Sequence, residues 1–369
     1  MRRKLSVIAT LGLLAVAGVA GCSTAEGDKG SDGATKAPGS GKVGVILPDT
    51  TTSQRWGTDD PKLLKAAFDK AGVPVDIRNA QGDKAQFQRI ADEMIDGGVT
   101  VLMTVSLDAP TGKAVLDKAR AEGIKTIDYD RMTLDGGADY YVSFDNEAVG
   151  RLQAEGLTRC LAERKAKTPT VAALHGAPTD HNATQFREGA EKVFQSKFDS
   201  GEFIKGPGQP VDDWNNRTGE MIFREMWFQT GREIQGVLAA NDGLANSAIS
   251  VLRQDGMNGK VPVTGQDATV QGLQNVLAGD QCMTVYKSIK KEAGAAAELA
   301  IQLYNGKKPE LGGTSVKDPE SGAYIPAVLE KPVAIFAGDV ETVIADGFVE
   351  KSAVCTGQFA PLCKKNGIK

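Results

Sequence analysis

The sequence predicts an α/β protein with two doubly wound, parallel-sheet lobes. Two observations lead there. Short apolar runs rich in Val and Ile alternate with longer amphipathic stretches, and this alternation runs along the chain twice, the second series starting after residue 144. The length of 369 residues adds a third, because a single compact domain usually takes ~100–200 residues.

In the first series, strands are expected at 43–47, 73–77, 99–105, 124–129 and 140–144, with helices at 60–71, 85–96 and 111–122. In the second, a helix at 147–161 precedes strand 170–174, helix 182–194, strand 203–205, helix 217–229, strand 236–240, helix 244–254 and strand 261–264. Strands joined through helices pair in parallel, since a crossover returns the chain to the same end of the sheet. In open parallel sheets ligands collect beyond the carboxyl ends of the strands. The residues just after each strand are therefore the ones to read for chemistry.

The start of the chain has a different character. Arg2-Arg3-Lys4 precedes an uncharged apolar run over 5–20, shorter than the ~20 residues a membrane span needs. It ends in Val19-Ala20-Gly21-Cys22, which resembles a bacterial lipobox. Residues 1–21 are thus expected to be a lipoprotein signal peptide, with Cys22 lipidated and the protein anchored to the bacterial membrane from outside the cytoplasm. Residues 22–42, rich in Gly, Ser, Ala and Lys, read as a flexible tether. The formal net charge of −4 includes three positive charges in that leader, and no block of five Lys or Arg occurs, which argues against nucleic acid as a partner.

After Cys22 four cysteines remain, and an even number in an exported chain points to disulfides. Cys355 with Cys363 is the easier bridge across a short loop, and Cys160 with Cys282 then follows by elimination, with the other pairings open on sequence alone. Zinc-type spacings are absent and the only histidines are His175 and His181, so neither a metal nor a cofactor is expected. Nor does the chain carry GxGxxG after a strand, GxSxG or HExxH, and no enzyme is expected.

The strand ends are consistently polar: Asp128, Asp130-Arg131, Asp145-Asn146, Asp180 with Asn182, Asn241-Asp242 and Gln266-Asp267. Asp and Asn in such places cap helices, and for any one of them capping is a sufficient account. Capping does not account for Arg131 or Lys287. Carboxylates and amides gathered at strand ends of two lobes are what a hydroxyl-rich neutral ligand requires, since each hydroxyl both donates and accepts.

Taken in order, Gln54-Arg-Trp56, Tyr129-Asp-Arg-Met132, Ser143-Phe-Asp-Asn-Glu147, Ala177-Pro-Thr-Asp-His-Asn-Ala183, Asn241-Asp242, Gly265-Gln-Asp267 and Met283-Thr-Val-Tyr-Lys287 resemble the type I periplasmic sugar-binding proteins, over roughly 43–354. The resemblance implies two lobes joined by a three-segment hinge, with crossovers near 144, 285 and 335. It assigns 43–144 plus 287–335 to one lobe and 145–286 plus 336–369 to the other. It implies a monosaccharide ligand, D-xylose ahead of glucose, galactose, arabinose or ribose, and the membrane subunits of an ABC importer as partner. A receptor presenting the sugar to a membrane sensor is the alternative. A monomer is the default expectation.

The same resemblance places the sugar against Arg55, Asp130 and Arg131 from one lobe and Asn146, Asn182, Trp214, Asn241 and Asp267 from the other, with Lys287 at the second crossover. Arg and Lys supply several N–H donors, Asp accepts with charge-assisted strength, and an indole offers an apolar plane to the C–H face of a pyranose. Trp56 is read equally as core or cleft. Asp242 is read as a helix cap and Arg187 as a surface or supporting charge. His181 stands where the resemblance leads one to expect an amide, and would make binding sensitive to pH.

Overall fold

The computed structural model describes residues 37–369. The signal peptide, the Cys22 lipidation site and most of the tether lie outside these residues. Among the described residues no helix is long and apolar enough to cross a membrane.

The first series folds as expected. Strands β1 (Lys42–Leu47), β2 (Val75–Asn79), β3 (Val99–Thr104), β4 (Lys125–Tyr129) and β5 (Tyr140–Phe144) alternate with helices α1 (Asp59–Ala71), α2 (Lys84–Asp96) and α3 (Ala109–Ala121). All pair in parallel. Helix α2 shows why the pattern was readable: Phe87, Ile90, Ala91 and Met94 are buried at helical spacing, and the Asp83 side chain caps Gln86 N–H. The chain then leaves this sheet through α4 (Asn146–Glu163) and builds β6 (Thr170–His175), α5 (His181–Asp199), β7 (Ile204–Pro210), α6 (Asn216–Gln229), β8 (Gly236–Ala239) and α7 (Asp242–Gln254). Strands run in the order β7-β6-β8, again parallel.

After α8 (Val270–Ala278) and β9 (Thr284–Tyr286), helix α9 (Ile289–Tyr304) returns to the first sheet and packs beside α1. Strands β10 (Ser315–Lys317) and β11 (Tyr324–Glu330) extend that sheet to seven, in the order β10-β11-β5-β4-β3-β1-β2. Then β12 (Val333–Ile335) pairs antiparallel with β9. The chain thus leaves the seven-stranded sheet after β5, returns to it through α9 after β9, and leaves it again between β11 and β12.

Two strand expectations need correction. Segment 261–264 makes a single parallel bridge, Val237 with Val263, rather than a strand. Pro262 has no N–H to give to a ladder, although its carbonyl still accepts from Val237 N–H at 3.0 Å. Strand β7 extends past Gly206 and Pro207, residues that mark a break in sequence. It is the edge of its sheet, where proline is tolerated and the pairing slips between Val171 and Ala173.

Both cysteine pairs are bonded, Cys160 with Cys282 and Cys355 with Cys363. The first ties α4 to the stretch just ahead of β9. The second closes the C-terminal segment, whose Val354 and Cys363 pack with Leu273 and Val276 of α8.

Asp242 is more than a helix cap. The side chain of Asn241 caps α7 through Leu244 N–H, while the Asp242 carboxylate, fully buried, accepts from Thr269 N–H and Oγ1, Gln281 Nε2 and Thr284 Oγ1. It holds the loop carrying Asp267 against α7 and β9. Burial, then the charge of Asp267, pushes its pKa to about 7. A carboxyl raised in this way binds its proton more tightly folded than unfolded, so its stabilising contribution is complete below the unfolded value and is lost as pH rises toward 7. Unfolding by urea from pH 5 to pH 8 should therefore show a stability decline that shrinks by about 2–3 kcal/mol in Asp242→Asn relative to the parent. An unchanged slope would rule this out.

Candidate functional site

The strand ends of both halves open onto one cavity lined by Thr52, Ser53, Arg55, Trp56, Asp130, Arg131, Asp180, Asn182, Phe186, Trp214, Asn241, Gln266, Asp267 and Lys287. Eight of the nine residues expected at the site are among them. Asn146 is not. Its buried amide instead donates to Asn182 Oδ1 at 3.0 Å and to Gln185 Oε1 at 3.1 Å, so it orients Asn182 from behind.

Asp130 is the centre of the first half of the wall. It follows β4 with φ of 62°, a left-handed conformation that a non-glycine residue adopts at a cost and that tertiary structure must impose. The imposition is visible: Asp130 N–H bonds Val142 O, and its carbonyl accepts from Tyr141 Oη, Ser143 Oγ and Asn182 Nδ2. Burial pushes the Asp130 carboxylate up, but Arg55, then Lys287 and Arg131, outweigh it and hold it below the usual range. A charged acceptor therefore faces the cavity at any ordinary pH.

Arg55 reaches this carboxylate from a short 3-10 turn after β1, Nη1 to Oδ2 at 2.9 Å. Its Nε and Nη2 bond Asp60 at 2.8 and 2.7 Å, and Nη2 also meets Glu292 Oε2 at 2.5 Å. The guanidinium lies 4.1 Å from the centre of the Trp56 ring. Trp56, open between two readings in sequence, serves both: it is 2% exposed, packs with the core of the first half, and still lines the cavity.

The second half contributes Trp214, Asn241 and Asp267, and Lys287 follows β9. Trp214 has φ of 54° and lays its ring against Gly176, where an added Cβ would fall 2.1 Å from a ring carbon. Its Nε1 donates to Asp180 Oδ2 at 3.3 Å, and Phe186 meets it edge-on with ring centres 6.4 Å apart. Core packing and cleft lining again coincide in one side chain. Asn241 shows the same economy, capping α7 with its oxygen while lining the cavity. Asp267, with φ of 97°, lies 3.6 Å from Lys287 Nζ. Lys287 also sits over Phe144 and Phe186 at 5.3 and 5.7 Å.

Contacts between residues of the two series close the cavity. Arg131 Nε stands 3.2 Å from Asp180, and Asn182 Nδ2 bonds Asp130 O at 3.0 Å. Four polar lining residues were absent from the sequence-derived set, among them Asp180, noted in sequence only as a strand-end carboxylate. Thr52 and Ser53 lie on the loop after β1, whose low charge gave no signal. Gln266, flagged only as a strand-end amide, donates to Ala240 O and leaves a buried Oε1 without a donor. One expectation fails here: His181 is outside the lining, so it gives the cavity no pH sensitivity by contact. Arg187 is a surface charge, an exposed partner of Glu191. Asp128 and Asp145 serve the fold: Asp128 accepts from Thr133 N–H and Oγ1, and Asp145 caps α4. Among the described residues no cluster of His, Cys, Asp and Glu is placed to hold a metal ion.

Comparison with known proteins agrees with this geometry. Residues 43–308 match the model of the periplasmic binding protein domain. The chain is 35% identical over 315 residues to the D-xylose-binding periplasmic protein of Escherichia coli, covering 84% of this chain and 92% of that one. It is 31% identical to a multiple sugar-binding periplasmic receptor of Rhizobium radiobacter, covering 83% and 90%. Among solved structures, an ABC transporter solute-binding protein from Clostridium phytofermentans with bound β-D-glucose superposes with a TM-score of 0.77 at 26% identity, over 85% of this chain and 99% of that one. A fold of two parallel-sheet lobes, a cavity at their facing strand ends and a family match across most of the chain all agree: this protein belongs to the periplasmic binding protein family, whose members work outside the cytoplasm.

Proposed function

We propose that this chain is the extracytoplasmic sugar-binding component of an ABC importer, taking one monosaccharide, D-xylose first, into the cleft and closing around it. The observation that carries this is the chemistry of the wall. Asp130 and Asp267 accept, Arg55, Arg131 and Lys287 donate, Asn182 and Asn241 can do both, and Trp214 offers a flat apolar face. That is a surface for hydroxyls on one side and C–H groups on the other. The relatives support the sugar class, since two are named for D-xylose and others for multiple sugars or ribose. They are named as binding proteins and receptors, and no chemical step is needed.

In this reading 43–144 and 287–330 form one lobe, 145–286 and 333–369 the other, and the three passages between them are the hinge. Cys22 carries a lipid that holds the mature protein, a monomer, at the membrane. Glucose is the second ligand to test, because solved neighbours hold it. A receptor role has its own support in the relative named as a periplasmic receptor.

Calorimetric titration of the purified protein with pentoses and hexoses tests this, together with Asp267→Ala. One sugar should bind tightly with one-to-one stoichiometry. The variant should lose at least about tenfold in affinity, since one charge-assisted hydrogen bond is worth ~1.5–3 kcal/mol. No binding of any aldose to folded protein would end the sugar reading.

A further inference from the structure

Behind the cavity, Arg55 holds three buried carboxyl groups at once: Asp60 of α1, Asp130 after β4 and Glu292 in the first turn of α9. Their hydrogen bonding is unequal. Asp60 Oδ2 receives Arg55 Nε, and Oδ1 receives both Arg55 Nη2 and the Tyr129 hydroxyl. Asp130 Oδ2 receives Arg55 Nη1, and Oδ1 receives Asn182 Nδ2 at 3.4 Å. Glu292 Oε2 receives Arg55, but Oε1 has no donor, and the side chain is 0% exposed.

An anionic oxygen shut away from water without a donor is among the most costly arrangements a fold can contain. A proton removes the difficulty. One guanidinium holds Asp130 Oδ2 on Nη1 at 2.9 Å and Glu292 Oε2 on Nη2 at 2.5 Å, which makes the two carboxyls neighbours, so a protonated Glu292 becomes a donor for which Asp130 is the nearby acceptor. We propose that Glu292 is a positioning residue, held as a neutral carboxylic acid that donates to Asp130 while accepting from Arg55, and so fixes both groups for the ligand. This rests on the sugar-binding reading of the cavity.

The surroundings agree. Burial raises the Glu292 pKa well above the ordinary value, and the charges of Asp130 and Asp60 add to that while Arg55 and Lys287 oppose it. Tyr129 of β4 and Tyr141 of β5 also face this group. The start of α9 favours an anion, but that effect is small beside the burial of an unpaired charge. Because α9 begins just after Lys287, the acid also links the second passage between the halves to the ligand-facing carboxylate.

The sign of the pH effect follows. Below the raised pKa Glu292 donates. Above it, two neighbouring carboxylates repel, the Asp130 and Arg55 geometry loosens, and affinity falls on the alkaline side. Glutamine keeps a neutral donor and an acceptor in the same shape, whereas alanine removes both.

The full-length protein, Glu292→Gln and Glu292→Ala should be compared by infrared spectroscopy without ligand and by titration with D-xylose and D-glucose between pH 6 and 10. The difference spectrum between parent and Glu292→Gln at pH 7 should contain the carbonyl band of a buried carboxylic acid, separate from the bands of Asp128 and Asp242, which both proteins keep. Glu292→Gln should stay within about threefold of the parent at pH 7 and lack its alkaline loss, while Glu292→Ala should weaken binding at least ~30-fold. Absence of the band at pH 7, or a Gln variant as weak as the Ala variant, would overturn the proposal. If neither sugar binds any of the three proteins, the sugar reading fails, while the band still decides where the proton is.

Discussion

Replacing Arg55 by alanine should abolish sugar binding and lower the unfolding free energy by about 3–5 kcal/mol, the usual cost of removing one partner from a buried ion pair. Arg55 is 5% exposed and is the cation shared by Asp60, Asp130 and Glu292. Without it, Asp60 loses two of its three donors, and Asp130 loses the guanidinium, the leading attraction holding it ionised. The remaining carboxyls then bind protons more tightly in the folded state than in the unfolded one. The variant should accordingly be relatively more stable at pH 5 than at pH 8. Arg55→Lys keeps one charge but not the planar fork that bonds three groups at once, and should fall between parent and alanine. Urea unfolding at both pH values and sugar titration at pH 7 measure this. An alanine variant with parental affinity would remove Arg55 from the site altogether.

Opening the Cys160–Cys282 bridge should have the second large effect. The bridge closes 122 residues, and constraint of the unfolded chain by a loop of that order contributes ~4–5 kcal/mol, against ~2.5 kcal/mol for the eight-residue Cys355–Cys363 loop. Its ends lie on α4 and next to β9, in the half that carries Asp267, and neither cysteine lines the cavity. Thermal unfolding of a Cys160→Ser, Cys282→Ser double variant should shift well below the parent, with sugar affinity at 25 °C nearly unchanged. The Cys355→Ser, Cys363→Ser pair should shift less. Equal shifts for the two pairs would contradict the loop-length argument.

Much of this molecule was legible before folding because the relevant signals are local. Apolar period, helix caps and strand-end polarity depend on residues a few positions apart, so the alternation through α7 and the strand-end groups Asp130, Arg131, Asn182, Asn241 and Asp267 could be read directly, while Arg55 and Trp214 came only with the family resemblance. Where local signals conflict with long-range ones, the reading broke. Pro262 withholds the one N–H that would have continued a ladder at 261–264. Strand β7 runs through Gly206 and Pro207 because an edge position tolerates them.

Asn146 sits at a strand end like its neighbours, yet it faces Asn182 rather than the cavity, a matter of side-chain direction that no spacing reveals. Asn241 and Trp214 could be read as cap or ligand group, core or cleft, and the structure makes each of them both.

The sequence by itself determined where the strands end and which chemistry stands there, because a parallel sheet sends all its carboxyl ends to one side. Only the tertiary structure decided how those groups are held. Arg55, Asp60, Tyr129, Asp130 and Glu292 come from three separate stretches of the chain, 55–60, 129–130 and 292. Their charges are tolerable only when burial, donor count and a shared proton are balanced in three dimensions.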